Sequence, residues 1–193
     1  DEVLGNRQYR KHVNICIDDS GSTRMEQTGF CSRAMLRVSN ELMEVLYTAA
    51  GRWPGVTWDA FTFNRITQQH TSRYGQERRL EIVRQALREV WVDDPLRRDA
   101  IETNLAPLIE AMAKNEVDRG LIGSPRLDII LTDGEFESQK DADLAAEAQR
   151  SRGPGVSTYV LNLCPDNPSE VVLPNAFQVI PLPCLVGQDR GMD

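Results

Sequence analysis

Short apolar runs, each cut off by an acid, a hydroxyl or a turn residue, alternate along this chain with stretches whose apolar positions recur every three or four residues. The first run, Val13, Ile15, Cys16 and Ile17, predicts a strand covered on both faces. From Arg33 to Ala50 the period turns helical, with Met35, Val38, Leu42, Val45 and Ala49 on one face and Gly51 as the stop. VTWDAFTFN and RITQQHTSRY follow as two β-rich runs whose short join permits only an antiparallel hairpin. Gln76 to Trp91 predicts a helix through Leu80, Val83, Leu87 and Val90, and VDDPLRRDAIE after it predicts a loop broken at Pro95. A further helix carries Leu105, Leu108, Ile109 and Met112; Pro107 is tolerated only in a first turn, so that helix must start at Thr103 or Asn104. RLDIILTDG predicts a second buried strand. Ala142 to Arg152, closed by Gly153, Pro154 and Gly155, predicts a helix. VSTYVLNL predicts a third strand, and FQVIPLPCLV, with two prolines, an edge strand.

Strands alternating with helices predict an α/β, Rossmann-like architecture. Its central sheet is mostly parallel with one antiparallel edge strand, and helices cover both faces. Ligands of such sheets lie beyond the carboxyl ends of the strands, where strand order reverses. With the hairpin on one side of the first strand, RLDIIL falls on its other side, and the reversal lies between those two.

At 193 residues the chain suits one domain, 1–193, with its core at about 11–185. The start has no signal-peptide type segment and no initiator Met, which reads as a mature product or a piece of a longer protein. A net charge of -7 with no dense Lys/Arg stripe argues against a nucleic-acid surface. No run is long enough to span a bilayer. Cys16, Cys31, Cys164 and Cys184 form no CxxC pair, which speaks against zinc. A Cys164–Cys184 disulfide is geometrically conceivable, but reduced thiols and a cytoplasmic setting are the expectation. His12 and His70 are isolated and expected at the surface, whereas Trp53, Trp58 and Trp91 are expected in the core.

The candidate chemistry sits where strands end. VNICIDDSGST delivers Asp18, Ser20 and Ser22 at alternate positions beyond the first strand, LTDG delivers Asp133, and Thr103 opens its helix at the same end. Two carboxylates and three hydroxyls, with no thiolate or imidazole, are the ligand set of a hard cation such as Mg2+. A plainer reading is available for each: hydroxyls and acids at element ends often cap helices or turns.

DDSGS, TNLAPLI and IILTDG, in that order and on those elements, resemble the motifs of the metal-ion-dependent adhesion site of von Willebrand factor A (VWA) domains. The resemblance runs from about Lys11 to about Leu185. A lone DxSxS should arise by chance in roughly one chain of this length in twenty; all three segments in order are far more specific. The resemblance implies that Ser20, Ser22 and Thr103 bind Mg2+ (or Mn2+ or Ca2+) directly, while Asp18 and Asp133 act mainly through bound waters. It implies no catalysis, but capture of a Glu or Asp from a partner protein at the open position of the ion. The family's intracellular bacterial members commonly work beside MoxR-type or chelatase-type ATPases or in multi-component systems, which makes such an ATPase, or a neighbouring domain of the same protein, the expected partner.

An extracellular adhesin is the alternative within that class. A Mg2+-dependent phosphoryl hydrolase with Asp18 as nucleophile is the alternative outside it, but its DxD pattern lacks the second acid, since Ser20 stands there. A scaffold with a vestigial site is the third. Asp19 is not expected as a ligand; Glu135 and Glu137 read as rim or solvated surface, and Arg24 as a pair for an incoming carboxylate or as plain surface. The DDPLRRD segment and a tail without a final helix depart from a minimal domain of this type.

Overall fold

The computed structural model describes residues 11–20, 38, 41–46, 48–49, 52–53, 55–70, 102–163 and 170–182. Its strands are β1 (Lys11–Asp18), β2 (Val56–Phe63), β3 (Thr67–Gln69), β4 (Arg126–Thr132), β5 (Val156–Asn162) and β6 (Gln178–Pro181). They form one sheet in the order β3-β2-β1-β4-β5-β6. Every pairing is parallel except β2 with β3, the expected hairpin. Strand order therefore reverses between β1 and β4, as the sequence predicts. The Gln76–Trp91 helix, the VDDPLRRDAIE loop up to Ile101, Trp91 and Cys31, Cys164 and Cys184 lie outside the described residues.

Two helices cover one face, α1 (Leu105–Asp118) and α2 (Gln139–Ser151). Leu105, Leu108, Ile109 and Met112 of α1 and Ala145 and Ala146 of α2 pack on Cys16, Phe61, Ile130 and Val160. Asn104 is the N-cap of α1, so Pro107 falls in the first turn, where its missing N–H breaks no helical bond. The other face packs Val13, Ile15, Ile17, Trp58 and Leu131 against helical residues 41–46.

Several expectations need correction. The helix bearing Met43 and Leu46 buries those two residues, while Val45 is 63% exposed and Val38 and Leu42 are only partly covered. The apolar stripe is thus turned from the one expected. Trp53 is 59% exposed, whereas Trp58 is core as expected. Helix α2 begins at Gln139, three residues before Ala142, because Ser138 caps it by accepting from the Asp141 amide at 3.2 Å. His12 is not a surface residue. Its position in β1 turns it toward the α1–α2 side, and both ring nitrogens find partners there, Thr57 Oγ1 at 2.9 Å and Asn14 Oδ1 at 2.9 Å. His70 is half-buried, with its Nε2 2.8 Å from Thr62 Oγ1.

Candidate metal centre

The carboxyl ends of β1 and β4 lie side by side where strand order reverses, the place of the ligand crevice in such sheets. Asp18, the last residue of β1, is fully buried, and so are Ser20, Thr103 and Asp133. Thr132, ending β4, donates its hydroxyl to Asp18 Oδ2 at 2.7 Å and so fastens the two strand ends together. Asp18 Oδ1 accepts from the Ser20 amide at 2.9 Å, which folds the chain tightly after β1. Thr103 is brought to the same end by backbone bonds on either side: Glu137 N donates to Thr103 O at 3.2 Å, and Asn104 N to Asn64 O at 3.2 Å. Asp19 N donates to Phe63 O at 2.9 Å and closes the ring of segments through β2. Ser22 and Arg24 lie outside the described residues. Glu135 and Glu137 are exposed, as expected of solvated residues beyond the TDG turn.

The turn that presents Asp133 requires glycine. Gly134 has φ of 88°, and a Cβ there would stand 2.5 Å from Asn162 Nδ2. Its amide donates to Thr132 Oγ1 at 3.1 Å, and the Glu135 amide to Asp133 Oδ1 at 3.1 Å.

Electrostatically the crevice is under tension. Burial, and then the charge of Asp133, push the Asp18 carboxyl up to about 8, and the hydrogen bonds from Ser20 and Thr132 only partly offset them. Among the described residues no three His, Cys, Asp or Glu side chains gather as a metal cluster. An ion here would therefore need mixed hydroxyl and carboxylate oxygens.

Two residues that position this crevice were not singled out from the sequence. Thr132 lies inside the quoted LTDG, and strand alternation puts it on the same face as Ile130 and Asp128, toward Asp18. Asp141 accepts from Leu105 N at 2.6 Å and Ala106 N at 3.2 Å, the first amides of α1. Its sequence signal was the spacing Ser138-x-x-Asp141, a helix-start pattern.

No protein-family model and no curated protein sequence matches the chain. Solved structures do. A von Willebrand factor type A protein from Catenulispora acidiphila superposes with a TM-score of 0.61 at 16% identity, over 94% of this chain and 41% of that one. Proximal thread matrix protein 1 from the mussel byssus, with a zinc-occupied MIDAS motif, gives 0.56 at 14% identity over 90% and 44%. A conserved hypothetical protein, BatB from Bacteroides thetaiotaomicron, gives 0.51 at 17% over 79% and 66%. The chain spans less than two thirds of the length of each. It has the von Willebrand factor A fold. No helix among the described residues is long and apolar enough to cross a membrane.

Proposed function

We propose that the chain is a non-catalytic protein-binding module that captures a carboxylate of a partner through a divalent cation. The observation carrying this reading is the burial of Asp18, Ser20, Thr103 and Asp133 together at the switch point, with Asp18 raised to about 8 by burial and by Asp133. Burial works against charge on Asp18, and a hard cation among carboxylate and hydroxyl oxygens would offset that. Mg2+ is the ion we assign, with Mn2+ or Ca2+ as substitutes. Ser20, Ser22 and Thr103 would hold it directly. Asp18 and Asp133 would act through water, in keeping with the hydrogen bonds that already occupy both oxygens of Asp18. When bound, such an ion offers an electrophilic position to an incoming carboxylate.

The chain's own part is to keep neutral hydroxyls nearest the ion, so that little anionic charge competes with the partner's Glu or Asp. The hydrolase alternative asks a nucleophile of Asp18, but that side chain is fully buried with both oxygens engaged. An ATPase as partner finds no support among the similar structures, so the partner is proposed by its chemistry alone. The single-domain reading of 1–193 is kept on the same footing.

Titrating the purified protein with Mn2+ tests the reading, followed by capture of partners from source-cell lysate with Mg2+ or with EDTA. Wild type should take up one ion and retain a partner only with metal, and Asp133→Ala should lose both. Equal Mn2+ uptake by Asp133→Ala, or none by wild type, would overturn it.

A further inference from the structure

We propose that Asp141, on α2, is a positioning residue for Thr103, holding the first turn of α1 so that the Thr103 hydroxyl faces the cation. This rests on the cation reading above. An α-helix begins with amides that have no partner inside it, and the residue before the helix usually supplies an acceptor. Here it does not: Asn104 makes no side-chain capping bond, and the first turn of α1 has no acid of its own. Both duties pass to another helix. Asp141 takes Leu105 N on Oδ2 at 2.6 Å and Ala106 N on Oδ1 at 3.2 Å, and lays its negative charge at the positive end of the α1 dipole.

Asp141 is well placed for this because its own backbone is fixed, its amide bonded to Ser138 Oγ at 3.2 Å. One side chain thus joins the starts of both helices. Thr103 sits two residues before Leu105. On its other side, backbone bonds hold it, from Glu137 N to its carbonyl and from Asn104 N to Asn64 O. Without Asp141, two amides at the head of α1 lose their acceptor, and the first turn must shift or unwind to find water. Thr103 moves with it. Groups that hold a ligand without touching the ion typically change metal affinity by roughly 10–100-fold when removed.

Removal of a nearby negative charge also weakens cation binding, so the test must separate position from charge. Asp143 offers the control: it is exposed on the same helix and accepts only from Gln139 Nε2 at 3.0 Å among these contacts. In the full chain, Asp141→Ala, Asp141→Asn and Asp143→Asn are compared by Mn2+ titration and, in EDTA, by amide hydrogen exchange at Leu105 and Ala106. Asp141→Ala should speed exchange at those two amides by about tenfold and weaken Mn2+ binding by roughly tenfold. Asp141→Asn keeps one acceptor oxygen and should fall between, and Asp143→Asn should stay within about twofold of wild type. The proposal is overturned if Asp143→Asn weakens Mn2+ as much as Asp141→Asn does, or if Asp141→Ala frees the amides while affinity stays within about twofold. Should Asp141→Ala fail to fold, the Asp141→Asn against Asp143→Asn pair decides. Wild type that binds no Mn2+ would sink the cation reading itself, a result visible before any variant is made.

Discussion

The sheet face beneath α1 and α2 is layered, and its two polar layers treat buried charge in opposite ways. Paired across four strands, Asp59, Asn14, Asp128 and Thr158 form one polar row. Phe61, Cys16, Ile130 and Val160 form an apolar row above it, and Phe63, Asp18, Thr132 and Asn162 continue the same faces above that. In the lower row every acid has a guanidinium. Arg119 reaches Asp59, and Arg152 reaches Asp128 at 2.6 Å and also Glu116, which Arg126 meets at 2.6 Å. Burial works against the charge on Arg152, but Asp128 and Glu116 outweigh it and raise its pKa. In the upper row Asp18 has Asp133 beside it and accepts from a hydroxyl and an amide. One end carries its counter-charge in the chain; at the other, the proposed cation would supply it.

The largest effect should come from breaking the compensated end. Arg152→Met leaves Asp128 and Glu116 buried with fewer partners, and should cost about 3–5 kcal/mol in urea unfolding. Mn2+ affinity of the folded fraction should not move, since the apolar Cys16 row lies between. A loss below about 1 kcal/mol would mean the lower network does not hold the fold.

At the open end the test is pH. An acid whose folded pKa is raised, here from 3.8 to about 8, binds more protons folded than unfolded across that window. Metal-free protein should therefore lose stability as pH rises from about 4 to about 8, by an amount on the order of a few kcal/mol. Saturating Mg2+ should restore most of it at pH 8, and Asp18→Asn in EDTA should flatten the slope. A wild-type slope unchanged by Asp18→Asn would show that Asp18 is not its source.

The same contrast explains what the sequence made legible. The upper end could be read because its residues follow strand ends, where an apolar run breaks into Asp18-Asp19-Ser20 or Thr132-Asp133-Gly134 and the break itself is the signal. The parallel sheet, its reversal between β1 and β4 and the hairpin followed from the same punctuation. The lower network was hidden. His12, Asn14 and Asp128 lie inside strands whose neighbours are apolar, and nothing local says that Arg152, 24 residues past Asp128, will reach back to it. His12 was misplaced for that reason, since a lone histidine in a run gives no sign that Thr57 and Asn14 will satisfy it. Asp141 is hard to see because the alanines after it carry the helical period, whereas Ser138-x-x-Asp141 is a short and common pattern.

Gly134→Ala asks how much the open end depends on its turn. The strained φ and the 2.5 Å approach to Asn162 should cost about 1–3 kcal/mol and reduce the Mg2+-dependent gain, because Asp133 is the adjacent residue. Gly120→Ala is the matched control, with φ of 64° but open space around its Cβ. It should cost less and leave the Mg2+ response intact. Equal Mg2+ responses in the two variants would count against a turn that aims Asp133.

The smallest effect sharpens the comparison most, because one chemical deletion can be made in both rows. Thr132 Oγ1 donates to Asp18 Oδ2 at 2.7 Å, and Thr158 Oγ1 donates to Asp128 Oδ2 at 2.8 Å. Valine at either site keeps the shape and removes the donor. Asp128 is paired with Arg152 within the chain, so Thr158→Val should cost the same, about 1–2 kcal/mol, with Mg2+ or with EDTA. Asp18 differs. Without a cation, burial and Asp133 favour its protonated form, and losing a hydroxyl to a neutral carboxyl costs about 1 kcal/mol or less. With a cation holding Asp18 ionised, the same hydroxyl donates to a charge, where such a bond is worth roughly 1.5–3 kcal/mol. Mg2+ should therefore increase the cost of Thr132→Val by about 1 kcal/mol, which reads as roughly fivefold weaker Mg2+ binding. Unfolding of both variants at pH 7 with and without Mg2+ measures it. A cost for Thr132→Val that ignores Mg2+, as the cost for Thr158→Val should, would mean that the two rows do not differ in where their counter-charge comes from.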